Sequence, residues 1–151
     1  MRGLFCRFTF AIVFLATPAK NAAALTVAEY CQLTVETLQL SVGAATERLE
    51  AAAQNATDAA AYFKQLQTIE DRYKEMRDQL YGRYGTSSAE YLKFMRKNKD
   101  AVNSYIQTHG EIKAKIESLT KQARDLSQQQ ESVVMGAGLH RARPLDSRTK
   151  R

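Results

Sequence analysis

Between residues 25 and 135, apolar side chains recur at alternating steps of four and three, with no proline to interrupt them; Pro18 and Pro144 both lie outside this stretch. That spacing keeps one face of an α-helix apolar, whereas a half-buried strand would need a period of two. The intervening residues are mostly Ala, Gln, Glu, Lys, Leu and Arg, which lose little side-chain freedom in a helix. Valine and isoleucine never alternate with polar residues over a strand's length, so the expected class is all-α, with no sheet.

Four segments emerge. A first helix near 27–55 places Val27, Cys31, Thr34, Val35, Leu38, Val42, Ala45, Leu49 and Ala52 on one side. A second near 58–81 has the narrow seam Tyr62, Leu66, Ile69, Tyr73, Met76 and Leu80. A third near 88–107 carries Tyr91, Leu92, Met95, Val102, Tyr105 and Ile106, with Asn98 falling on the apolar seam. A fourth near 111–134 carries Ile112, Ile116, Leu119, Ala123, Leu126 and Val133. Thr26 with Glu29, Ser87 with Glu90 and Thr108 with Glu111 have the spacing of capping boxes, in which hydroxyl and carboxylate satisfy orphan backbone donors. Residues 55–58 supply a fourth start. Gly82, Gly85, Gly110, Gly136 and Gly138 mark stops.

Similar lengths and short connections predict an up-down four-helix bundle. The alternative is a long helical hairpin with the third and fourth helices continuous, because the steps run in phase from Tyr91 to Val133. Gly110 and the Thr108 cap favour a break, since glycine costs about 1 kcal/mol inside a helix.

The first 24 residues read differently. Arg2 and Arg7 precede an apolar run over residues 8–16, interrupted only by Thr9, and no acidic residue occurs before Glu29. Pro18 breaks the run, and Ala22 and Ala24 give the small-x-small pattern of a peptidase site. The expectation is a signal peptide cleaved after Ala24. The run is far short of the roughly 20 residues that span a bilayer, so no transmembrane span remains after cleavage. The expected organisation is a cleaved segment 1–24, a bundle 25–135 and a disordered basic tail 136–151. The protein is then exported, to a periplasm or the extracellular space.

Export changes how charge and cysteine are read. Of the formal charge of +6, Arg2, Arg7 and Lys20 hold three. The tail from 136 holds a net four: Arg141, Arg143, Arg148, Lys150 and Arg151 against Asp146. The remaining −1 over 25–135 gives nucleic acid no basic face to bind. Cleavage also removes Cys6, so Cys31 cannot form an internal disulfide and is expected to be a buried packing residue.

The residues offer no motif for catalysis, metal or cofactor. His109 and His140 lack the Glu-x-x-His spacing of a bundle metal site, with Ile106 and Ala137 in place of glutamate. Glu70, Asp71, Lys74 and Glu75 read as a solvated face, with Glu70 and Lys74 spaced for a helix ion pair. The most distinctive stretch is residues 80–87, where Tyr81 and Tyr84 are each followed within one residue by glycine and flank Arg83. It reads either as a recognition loop or as a packed turn whose tyrosines close the core. The expected function is therefore non-enzymatic: an exported bundle acting by protein contact, as adaptor, chaperone-like binder or accessory subunit. Its candidate contact residues are Tyr81, Arg83, Tyr84, Arg141 and Arg143, and the tail is suited to an anionic envelope surface. The alternative is a bundle that binds a small ligand or cofactor in its core, among Tyr73, Met76, Met95, Asn98 and His109.

Overall fold

The structure, a computed structural model, describes residues 25–139. They form five helices: α1 (Val27–Gln54), α2 (Ala59–Arg83), α3 (Ser88–Lys97), α4 (Lys99–Thr108) and α5 (Gly110–Gly136). There is no strand among the described residues. The all-helical class holds. The count of four does not, because the predicted third helix is two short ones.

The starts follow local chemistry. Thr26 and Glu29 form a reciprocal capping box at α1, with Glu29 N–H donating to Thr26 Oγ1 at 3.2 Å and Thr26 N–H to Glu29 Oε2 at 3.0 Å. Asp58 caps α2 by accepting from Ala61 N–H at 3.0 Å, and Ser87 caps α3 by accepting from Glu90 N–H at 3.3 Å. The Thr108 cap does not form. Thr108 is the last residue of α4, and its hydroxyl bonds back to the carbonyls of Ser104 and Tyr105. His109 stands at the junction instead, with no side-chain cap for α5.

The helix α1 is the central element. Leu33 packs with Leu80 and Tyr81, while Ala51 and Ala52 pack with Tyr62, so α1 and α2 are antiparallel. Cys31 shares a cluster with Ile112, whereas Ala51 and Ala52 share one with Val133 and Val134. Hence α5 runs parallel to α1, which an up-down order of four helices does not allow. Central position demands two apolar faces. One is the predicted series from Cys31 through Val35, Leu38, Val42, Ala45 and Leu49 to Ala52. The other is Leu33, Thr37, Leu40, Ala44 and Ala51, offset by two residues. At about 100° per residue the two series lie on nearly opposite sides of the helix. The second packs on α2, leaving the first for α5, with which α1 has its most extensive packing.

The short helices solve the crossover. A straight helix from Tyr91 to Ile112 would be about 30 Å long at about 1.5 Å per residue. Both residues nevertheless pack at the Tyr30–Cys31 turn. Breaks at Asn98 and His109 bend the chain so that α3 and α4 form a collar around the N-terminal turns of α1. Asn98 is the corner, not a seam position within one helix. Its amide donates to the Phe94 carbonyl at 2.9 Å, ending α3. The continuous-helix alternative is overturned by the same two breaks.

At the opposite end, Leu139 is only 3% exposed and packs with Ala51, Ala52, Tyr62 and Ile69. The sequence had assigned it to the tail. Gln130 donates to the Tyr62 hydroxyl at 3.0 Å, joining α5 to α2 there.

Candidate functional site

The Tyr/Gly stretch closes α2 and turns the chain into α3. Gly85 has φ of 65°, a left-handed conformation that favours glycine, and Gly85 N–H donates to the Gly82 carbonyl at 3.0 Å. The turn therefore has a fixed shape. Tyr81 is buried and packs with Leu33 and Leu80, and its ring is 5.4 Å from that of Tyr91. Its place is in the core.

Arg83 and Tyr84 point to a residue that sequence reasoning did not single out, Glu36 on α1. Arg83 Nη2 lies 3.2 Å from Glu36 Oε2, and the Tyr84 hydroxyl donates to Glu36 Oε1 at 2.7 Å. Gln32 adds a bond from its amide to Glu36 Oε1 at 3.1 Å. Burial raises the Tyr84 pKa well above the ordinary phenol value, and the hydrogen bond to the Glu36 carboxylate raises it further, because a second negative charge there would face the first. All three side chains remain part-exposed. The result is a preformed corner of carboxylate, guanidinium and phenol. Its sequence signal was faint: Glu36 lies between Leu33 and Leu40 on the second apolar series of α1. Arg141 and Arg143, the other candidate contact residues, lie outside the described residues.

Beside this corner is an aromatic stack. Tyr30 lies 4.5 Å from Tyr91 and 5.1 Å from Phe94, centroid to centroid, with planes within 15° and 19° of parallel. Tyr91 and Thr34 share a hydroxyl hydrogen bond at 2.7 Å, and burial raises the Tyr91 pKa strongly. Cys31 is fully buried beneath the stack with Val102, and burial raises its thiol pKa.

The residues considered for an internal ligand are not gathered. Tyr73 donates to Glu47 at 3.0 Å between α1 and α2, at the edge of the cluster around Ile69. Met95 belongs to the cluster at the collar. Asn98 is the corner of the collar, and exposed His109 stacks on Tyr105 at 3.7 Å. A polar recess of about 70 Å³ between α1 and α2 is lined in part by Thr37, Ser41, Arg48, Glu70 and Arg77. It has room for a few waters, far below the roughly 300–1,000 Å³ of small-molecule sites. Asp71, Lys74, Glu75, Asp78 and Gln79 line one exposed face of α2 that is open to solvent and encloses no cavity. Glu70 pairs across to Arg48 at 2.6 Å, not along the helix to Lys74. Among the described residues no three His, Cys, Asp or Glu side chains are grouped to hold a metal, and no helix is long and apolar enough to cross a membrane.

No protein-family model, curated protein or solved structure matches this chain.

Proposed function

We propose that the protein is exported after cleavage behind Ala24 and acts without chemistry of its own, by contact with another protein, as an adaptor, chaperone-like binder or accessory subunit in a periplasm or outside the cell. The observation that carries this reading is the Glu36–Arg83–Tyr84 corner. Arginine and tyrosine are the residue types that most often dominate contact energy. Here both are held in place before any partner arrives, which lowers the ordering cost of binding. The reading of export is supported by the capping box at Thr26, which gives α1 a complete start two residues after the expected cut. The basic residues Arg141 and Arg143 extend the contact to an anionic envelope surface or an acidic partner.

The test is expression of a C-terminally tagged copy, fractionation, N-terminal sequencing and crosslinking from position 84. The expected result is a chain beginning at Leu25 in the exported fraction, with a crosslinked product that Arg83→Gln weakens while the helical signal stays unchanged. A chain that keeps its first 24 residues in the cytosol removes the export reading. A monomer whose crosslinks are indifferent to Arg83 removes the contact reading.

A further inference from the structure

The collar differs from the rest of the fold in how it is held. α5, which has no buried residue of its own, packs extensively on α1, whereas α3 and α4, with only Val102 buried between them, meet α1 far less. The collar's grip on α1 consists of fully buried Val102 and the part-buried Tyr91, Phe94, Met95, Tyr105 and Ile106 around Tyr30 and Cys31, with the Tyr91–Thr34 bond as a polar tie. These contacts reach only the first turns of α1. A glycine stands at each end of the collar, Gly85 with φ of 65° before α3 and Gly110 as the first residue of α5. By contrast, α1 packs along its length on α2 and α5. Segments with few buried contacts open at lower free energy than the global transition, in contiguous units.

We propose that the α3–α4 collar opens from α1 as a unit while α1, α2 and α5 stay folded, uncovering the Tyr30 ring and the Cys31 thiol. The fold thus contains a gate over an aromatic surface that is closed in the resting structure.

Cys31 reports on this gate, being fully buried and covered partly by Val102 of the collar. In the full-length chain with Cys6→Ser, Cys31 is the one remaining thiol. Its labelling by a neutral alkylating reagent is measured against urea, beside helical circular dichroism. The expected result is labelling at low urea with a dependence much shallower than that of global unfolding. Tyr91→Phe should speed labelling roughly fivefold through loss of the Thr34 bond. Leu139→Ala serves as the control, because it weakens the far end of the bundle. It should lower global stability and leave the low-urea labelling rate unchanged. Hydrogen exchange should show amides of 88–108 exchanging together, ahead of those of 35–50. Labelling that follows the global unfolding curve, and that rises in step with the destabilisation by Leu139→Ala, overturns the proposal. Uniform exchange across both segments does the same.

Discussion

The Tyr84 hydroxyl donates to Glu36 Oε1 at 2.7 Å across 48 residues of sequence, pinning the end of α2 to the third turn of α1. Together with Arg83 it turns a loop-like sequence into a fixed corner. A hydrogen bond to a charged acceptor contributes about 1.5–3 kcal/mol, less where solvent reaches it. Tyr84→Phe should therefore lower the unfolding free energy by about 1–2 kcal/mol in a urea titration. Glu36 keeps Arg83 and Gln32, so the carboxylate is not stranded. A loss below a few tenths of a kcal/mol would show that the bond adds nothing beyond solvation.

Alkaline pH should unfold the protein through the same group. Tyr73, Tyr81, Tyr84 and Tyr91 all have pKa values raised, first by burial, and for Tyr84 next by Glu36. A phenol that ionises at higher pH when folded favours folding below its unfolded pKa of about 10, and that contribution is lost as pH rises from about 10 through the folded value. Stability should fall steeply above about pH 10. The phenolate absorbance of these four tyrosines should appear together with loss of helix. Their ionisation in a chain that still shows native helicity would contradict this.

Gly43 tests the closeness of α1 and α2. A Cβ there would lie 2.7 Å from the Tyr73 hydroxyl oxygen and 3.3 Å from its ring. Alanine otherwise gains about 1 kcal/mol over glycine within a helix. Gly43→Ala should lose that gain by displacing Tyr73 from Glu47. In a Tyr73→Phe background the gain should reappear, giving a coupling of about 1 kcal/mol in a double-mutant cycle. Strict additivity would mean that the ring moves aside at no cost.

Leu33 is fully buried between α1 and the end of α2. Leu33→Ala should cost about 2–5 kcal/mol from lost transfer energy and the cavity left behind. Thermal and urea unfolding measure it. A cost under 1 kcal/mol would mean that Leu80 and Tyr81 collapse into the space.

Much of the helical content was legible because it is local. The Thr26 box, the Asp58 and Ser87 caps and the glycine stop at Gly85 depend on residues within one turn of one another, whereas Gly82 lies inside α2 and Gly110 opens α5 rather than closing a helix. The Thr108 box was misread although its residues have the right spacing. His109 takes the corner instead, its Nδ1 2.8 Å from the Tyr105 carbonyl and its ring on that of Tyr105. The split at Asn98 was also hidden. The apolar steps remain in phase across it, and only the need to wrap around Tyr30 bends the chain there. For the candidate contact residues of the Tyr/Gly stretch, the sequence leaves open whether they form a loop or part of the core. Packing answers differently for each side chain: Tyr81 lies in the core, while Arg83 and Tyr84 are at its rim.

Helix propensity, capping and a period near 3.6 act over a few residues, and they suffice for the helical class, the approximate bounds of α1, α2 and α5, and the burial of Cys31. Tertiary structure alone decided that α1 is central with two packed faces, that α5 runs parallel to it, that α3 and α4 form a collar, and that Glu36 gathers Arg83 and Tyr84. These relations join residues tens of positions apart. A single heptad seam states that a helix has a neighbour, but neither which neighbour nor in which direction it runs. That choice belongs to the summed packing of all the helices.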